Sequence, residues 1–275
     1  QSSIVDTNRP NIILIIFDAM TARDMQVYGY NRQTTPFISE WSKTASLFKR
    51  VESSSNWTTP ATASIMTGKR LWTHKTFHEY SIPVKSDIES LPLVLRNYGY
   101  YNMAFVVNPY ASIKKLGIAN SFDIAPSNLE FVKSQHLIGW KFGILNVILA
   151  KAFGDKIKFY TWIIDPQFIL GKMITAIYYK FFVISQTEVP PEIAFKKFLD
   201  TIDKGVQEPF FAWIHLYPPH DPYLPPEPHI GMFDSSKKLR TYNQQAGELT
   251  DEKVNNEEHL GVFRARYDEF IRYCD

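Results

Sequence analysis

From Asn11 to Phe17 the chain reads N-I-I-L-I-I-F, an apolar run of strand length, rich in β-branched side chains, that ends at Asp18. A run without polar alternation predicts a parallel strand covered on both faces. Two further runs follow the same form. Met103–Val107 ends in Asn108-Pro109, and Pro209–Ile214 ends at His215. Between them the apolar positions return at helical spacing. Phe37, Ile38, Trp41, Ala45 and Phe48 share one helical face, and Leu91 to Tyr98 forms a helix closed by Gly99. Glu188-Val189-Pro190-Pro191 opens another helix through Phe195, Phe198 and Leu199. The last helix puts Phe263, Tyr267, Phe270, Ile271 and Cys274 on one face and reaches Asp275 without a Gly or Pro stop. Strands alternating with helices predict an α/β chain with a parallel sheet, and the next element in that alternation is a strand.

The stretch from Trp57 to Arg70 reads W-T-T-P-A-T-A-S-I-M-T-G-K-R. It sets the hydroxyl of Thr58 directly ahead of a helix start, with Thr59 as N-cap and Pro60 at the first helical position. The helix runs through Ile65 and Met66 and stops at Gly68. Unpaired N–H groups at such an end suit a phosphate or sulfate, although an ordinary loop-to-helix junction reads the same way. Asn56-Trp57-Thr58 is formally a glycosylation sequon, but it overlaps the candidate nucleophile and is set aside.

Asp18, Asn108 and His215 stand at strand ends, and Thr58 and His220 lie on segments that follow strands. In a parallel sheet these ends share one edge, where open α/β folds bind ligands. For Asp18 alone, capping a following helix is the plainer role. The loop Tyr217-Pro218-Pro219-His220-Asp221-Pro222-Tyr223 is stiffened by prolines and holds His220 in place. Chemistry that would use such a set is transfer of a phosphoryl or sulfuryl group. A threonine hydroxyl is a poor nucleophile at neutral pH, and a divalent metal held by Asp18 and the Thr58 oxygen would stabilise its alkoxide. His220 would protonate the leaving oxygen or bind the anion. His74 and His78 are one helical turn apart with no acidic third ligand beside them, and read as core or surface histidines.

Composition narrows the partners. With 275 residues and 45% hydrophobic side chains the chain buries a full core, as one large domain or two small ones. A net charge of +2 gives no electrostatic case for nucleic acid. A single cysteine, Cys274, excludes a disulfide framework and a cysteine-rich metal site. No signal peptide or clear transmembrane run is present, and an opening at Gln1 fits a processed or trimmed product. His136 to Ser185 is apolar and aromatic, but Lys141, Lys151, Lys156, Lys158, Lys172 and Lys180 interrupt it too often for a membrane span. This stretch, 136–185, reads as an inserted helical hairpin that covers the sheet or roofs the site, or as basic amphipathic helices lying on an anionic membrane surface. Gly231 to Asn256 is polar and predicts an exposed loop.

The ordered series I-I-F-D-A-M, Y-G-Y, T-T-P, W-T-T-P-A-T-A-S-I-M-T-G, N-Y-G-Y, A-F-V-V-N, P-F-F-A-W-I-H-L-Y-P-P-H-D-P-Y-L-P-P and R-Y-D-E-F-I-R-Y-C-D resembles the sulfatase family of the alkaline phosphatase superfamily. The resemblance covers most of the chain outside the basic apolar insertion. It implies an α/β sandwich with a central, mostly parallel sheet, helices on both faces and a helical insertion. On this resemblance residues 1–275 form the N-terminal part of a single catalytic domain that acts on a sulfate or phosphate ester. It also implies Asp18 as a metal ligand, Thr58 as nucleophile and ligand, and His220 as a contact to the transferred group; Asn108, His215 and Lys69 are the candidate substrate contacts. The metal would be one divalent ion: calcium, magnesium, manganese or zinc.

The departures from the pattern are specific. Sulfatases carry Cys or Ser, converted to formylglycine, where Thr58 stands here, and Ala61 and Thr62 replace the following Ser and Arg. Threonine at that place is similar to phosphoethanolamine and phosphoglycerol transferases, which act on lipids and cell-envelope polymers. A periplasmic, extracellular or membrane-associated location is implied. The usual second aspartate is Ala19, and the family's remaining metal pair falls on a strand after the last helix here. The expected activity is a metal-dependent ester hydrolase, phosphodiesterase-like or sulfatase-like, or a phosphotransferase. The alternative is a non-catalytic relative that binds an anionic glycan or a lipid head group.

Overall fold

A computed structural model describes residues 9–81, 89–127, 131, 189–221, 223, 225–235 and 257–275. The stretch 136–185 and most of the polar segment after Gly231 lie outside the described residues. Three strands form one parallel sheet: β1 (Ile12–Phe17), β2 (Tyr101–Val106) and β3 (Phe210–Leu216). Their order is β1-β3-β2, so the last strand in sequence lies in the middle. Ile16 and Val106 both stand beside His215 in the register.

Burial follows that order. Every residue of β3 is buried, as expected for a strand with neighbours on both sides and layers on both faces. Its alternate side chains feed two cores. On one face Phe211 and Trp213 pack with Ala104, Val106, Phe122 and the helix residues Ala63 and Met66. On the other, Phe210, Ala212, Ile214 and Leu216 pack with Phe105 and with Ala194 and Phe198. The helices are α1 (Pro36–Trp41), α2 (Thr58–Thr67), α3 (Leu71–His74), α4 (Leu91–Asn97), α5 (Pro191–Ile202) and α6 (Glu257–Cys274). α2 covers one face and α5 the other, which is the α/β layering expected.

Two expectations from the apolar pattern fail. Among the described residues β1 is covered on one face only: Ile12, Leu14 and Ile16 pack with the α2 side, while Ile13 and Ile15 are 48% and 43% exposed. A uniformly apolar sequence gives no sign of which face a neighbouring layer covers. The helix predicted to carry Phe37, Trp41 and Phe48 into the core stops at Trp41, and all three side chains are largely exposed. Ser42 and Thr44 explain the stop, because their hydroxyls bond back to the carbonyls of Ser39 (2.8 Å) and Trp41 (3.0 Å). Such local bonds compete with the helical ladder. The first amides of α1 are satisfied from far away, Phe37 N and Ile38 N donating to Asp275 at 2.8 and 2.9 Å.

α6 is tied down by polar contacts as well as by its apolar face. Asp268, fully buried, accepts from Tyr30 Oη at 2.7 Å and Arg32 Nη1 at 2.6 Å. Arg264 pairs with Asp24, which is also buried. Glu269 Oε1 accepts from Phe233 N at 3.0 Å. The first three bonds hold the loop after β1 against α6, and the last holds the segment around Phe233 there.

The two isoleucine environments make a paired prediction. Ile214→Ala, in the middle strand, is expected to destabilise by about 2–5 kcal/mol, and Ile13→Ala by about 1 kcal/mol or less. Chemical denaturation of both variants checks this, and equal losses would contradict the uncovered face of β1.

Candidate active site

The carboxyl ends of the three strands converge as expected. Asp18 follows β1 directly, and its N–H continues the ladder to Leu216 O at 3.1 Å. Asn108 lies just past β2, where Val107 N donates to His215 O at 3.0 Å. α2 begins at the same end. Its N-cap is Trp57 and not Thr59, so Thr58 is the first helical residue and Pro60 the third. The early start is possible because Thr59 has another use: its buried hydroxyl lies 2.9 Å from the Glu79 carbonyl and 2.8 Å from that of Tyr110. Pro60 is harmless at the third position, since that N–H has no intrahelical partner.

One oxygen gathers the cluster. Thr58 Oγ1 donates to Asp18 Oδ2 at 3.0 Å, and Asn108 Nδ2 donates to the same atom. His215 Nε2 lies 3.5 Å from it, too far for a well-formed hydrogen bond, and neither ring nitrogen of His215 has a hydrogen-bond partner. Burial alone would push the Asp18 carboxyl up, but the imidazole of His215, then that of His220 and the Thr58 hydroxyl, bring it below the ordinary value of 3.8. Asp18 is thus held ionised at the mouth of the sheet, with the threonine hydroxyl on it.

His220 stands on the loop after β3. Its Nδ1 contacts the Asp221 carboxylate at 2.8 Å and the Asp221 carbonyl at 2.9 Å. Burial opposes protonation of the ring, yet Asp221, helped by the charge of Asp18, raises His220 to about 9. The ring also packs on Tyr217 with centroids 4.7 Å apart. It is a cationic imidazole at neutral pH.

Not every residue chosen from sequence has the expected contacts. Asn108 is 1% exposed, and both ends of its amide are engaged: Nδ2 on Asp18, and Oδ1 accepting from Tyr110 N at 2.8 Å. His215 is 2% exposed within β3 and faces Asp18. Both side chains lie against the Asp18 carboxylate, Asn108 by a hydrogen bond and His215 at 3.5 Å. Lys69 follows Gly68 at the far end of α2. Ten helical residues at about 1.5 Å each separate it from Thr58, so its backbone lies outside the cluster. His74 is a core histidine: it is fully buried, with Nε2 2.8 Å from Ser64 Oγ.

Tyr267 is a site-supporting residue that the apolar pattern hid. Its hydroxyl donates to Ala19 O at 2.6 Å and accepts from Thr21 N at 3.1 Å, bracketing the turn that leaves Asp18. Ala19 has φ of 57°, a left-handed conformation unusual for a residue with a Cβ. The Tyr267 ring packs on Tyr223, with centroids 4.9 Å apart. Counting Tyr267 as an apolar helix position conceals its use of the hydroxyl. The only sequence signal was the polarity of that one atom.

The arrangement defines an alkaline-phosphatase-like α/β fold with an ionised carboxylate, a hydroxyl and a helix N-terminus at the carboxyl edge of its sheet. Solved structures agree on the fold. The phosphonate monoester hydrolase of Agrobacterium radiobacter is 16% identical, with a TM-score of 0.58 over 96% of this chain and 57% of that one. The soluble domain of lipooligosaccharide phosphoethanolamine transferase A from Neisseria meningitidis is 12% identical, with a TM-score of 0.53 over 97% of this chain and 59% of that one. The C-terminal periplasmic domain of EptC from Escherichia coli, in complex with zinc, is 15% identical, with a TM-score of 0.52 over 96% and 57%. This chain therefore spans less than three fifths of the length of each. No curated protein matches it. The Sulfatase family model matches residues 10–275, and the chain belongs to the sulfatase family.

Two predictions test this geometry. The folded value of His220 is raised from 6.5 to about 9, so the stability it contributes is complete below the lower value and is lost as pH rises through the higher. The Tm advantage of the parent over His220→Gln should therefore shrink as pH rises from 6.5 to about 9 and be gone above that, and a pH-independent difference would contradict the Asp221 pairing. Tyr267→Phe keeps the ring and removes two hydrogen bonds, with an expected loss of about 1–3 kcal/mol in chemical denaturation. An unchanged midpoint would show that the Ala19 turn holds itself.

Proposed function

We propose that this chain carries the nucleophile half of a sulfatase-like active site that hydrolyses or transfers at a sulfate or phosphate ester, with Thr58 as the attacking group. The observation that carries the reading is the 3.0 Å contact between Thr58 Oγ1 and an ionised Asp18 at the N-terminus of α2. In the free state Asp18 fixes the hydroxyl's direction, and Asn108 and His215 fix Asp18. The backbone N–H groups of Thr58 and Thr59, free of helical partners, face an incoming anion. His220, protonated at neutral pH, binds the transferred group or gives its proton to the leaving oxygen.

The residues present fit a divalent metal. Asp18 and the Thr58 oxygen offer hard oxygen donors 3.0 Å apart, and the donors crowded on Asp18 Oδ2 mark it as an atom that attracts positive charge. Asp18 and Thr58 would hold the ion. When bound, it supplies stabilisation of the threonine alkoxide and charge neutralisation of the ester. Among the described residues no group of three or more His, Cys, Asp or Glu side chains completes the ligand set. Ala19, Ala61 and Thr62, at positions where the family pattern differs, support a second reading, a non-catalytic relative that binds an anionic glycan or lipid head group. We place the protein in a periplasmic, extracellular or membrane-associated setting; among the described residues no helix is long and apolar enough to cross a membrane.

The native full-length protein should turn over an aryl sulfate or a bis-aryl phosphodiester. Thr58→Ala is expected to lower that rate by at least about 1,000-fold, and chelation should abolish it until a divalent cation is restored. Turnover indifferent to the substitution removes Thr58 from the mechanism, and no turnover of any ester favours the binding reading.

A further inference from the structure

At the end of α2 remote from Thr58, the chain carries an exposed surface that the catalytic reading does not use. Between Glu52 and Glu79 there is no acidic residue, while Lys69, Arg70 and Lys75 all fall in that interval. Trp72 and Phe77 stand among them, 65% and 58% exposed. Ile65, on the helix against which α3 packs, is 46% exposed. Large apolar side chains gathered with cations on one surface mark a contact face more often than chance.

Buried polar groups hold this surface in shape. His74 is fully buried, with Nε2 2.8 Å from Ser64 Oγ on α2, and its Nδ1 accepts from Thr76 N at 3.2 Å. A ring whose Nδ1 accepts is neutral, in keeping with burial, which pushes His74 below its ordinary value of 6.5. His74 therefore adds no charge. Thr76 is fully buried as well, so Lys75 and Phe77 are exposed next to fixed neighbours. Turn bonds from Thr73 N to Arg70 O at 2.9 Å and from His74 N to Arg70 O at 3.2 Å close the backbone. The Arg70 guanidinium lies 5.6 Å from the Trp72 ring centroid, so charge and ring share one face.

The charge is unanswered within the protein. Among the described residues Lys69, Arg70 and Lys75 form no salt bridge. Glu79, the nearest acid along the chain, is engaged by the Tyr80 hydroxyl and the Lys115 ammonium. On α4, which also packs on α2, Arg96 is paired with Asp123 at 2.7 Å. Three cations set among apolar side chains call for a partner that is anionic and apolar at once. A second copy of this chain would bring the same three cations against them, at a Coulombic cost. A soluble polyanion would meet the cations and leave Ile65 and Phe77 in water. An anionic bilayer answers both: its phosphates take the lysines and the arginine, and the rings and Ile65 enter the boundary with the acyl chains.

We propose that Ile65, Lys69, Arg70, Trp72, Lys75 and Phe77 form a docking surface for an anionic lipid bilayer. The surface is independent of the chemistry at Thr58 and of the 136–185 stretch.

The test measures binding of the native full-length protein to vesicles of phosphatidylcholine alone and of equal parts phosphatidylcholine and phosphatidylglycerol, by co-sedimentation and tryptophan fluorescence. The anionic vesicles should bind at least about ten-fold more tightly, and added salt should weaken that binding. Arg70→Gln combined with Lys75→Gln should weaken it by about 10- to 30-fold, roughly five-fold for each cation. Trp72→Ala combined with Phe77→Ala should weaken it by at least about 10-fold, and Trp72→Phe alone should remove most of the lipid-induced fluorescence change. Circular dichroism checks that each variant is folded. Equal binding to neutral and anionic vesicles, or affinity unmoved by either double substitution, overturns the docking surface. So does dextran sulfate binding as tight as vesicle binding and indifferent to the Trp72→Ala and Phe77→Ala pair, which would make this a site for a soluble polyanion.

Discussion

A single carboxylate oxygen, Oδ2 of Asp18, is the point at which otherwise separate parts of this chain meet. It takes a hydroxyl from the start of α2 and an amide from the end of β2, and it lies against an imidazole of the middle strand. Each of those groups is anchored by its own element, so the oxygen senses the relative placement of the whole carboxyl edge of the sheet. Its negative charge is maintained against burial by the neighbouring imidazoles and the hydroxyl. An apolar side chain there would leave the Asn108 amide buried without its acceptor, and such a group is costly.

The placement of that oxygen depends on α6, far along the chain. Tyr267 holds the turn through Ala19, and Asp268 and Arg264 hold the loop that follows it through Tyr30, Arg32 and Asp24. The aspartates of these pairs are buried while their arginines reach solvent, so it is removal of the arginine that leaves a buried charge uncompensated. Their value is directional: an apolar contact would fill the same space without fixing where the carboxylate points. Packing of the two cores against β3 supplies the bulk of the stability, and the polar ties on α6 orient the site.

The same economy of contacts appears around α2. Thr59 gives up the capping role expected of it and ties the Glu79 and Tyr110 loops to the helix start. Trp57 serves as cap position without a side-chain cap bond. The helix start thus has no side-chain cap, carries the Thr58 hydroxyl on its first residue, and shares the carboxyl edge of the sheet with a cationic His220 on the loop after β3. A fully capped helix would have presented fewer donors to an anion.

Taken alone, the order of residues determined the three strands, the helix that ends at Gly68, and the location of Asp18, Asn108, His215, Thr58 and His220 at or beside strand ends. Uninterrupted apolar runs and glycine stops act locally, so they can be seen without neighbours. The order of the strands, the exposure of Ile13 and Ile15, and the outward turn of Phe37, Trp41 and Phe48 were decided only by tertiary structure. So were the contacts that Asn108, His215 and Tyr267 make around Asp18 and Ala19. Each of these depends on which distant segment comes to lie against a given side chain, and that is a property of packed layers, which no local spacing of apolar and polar residues contains.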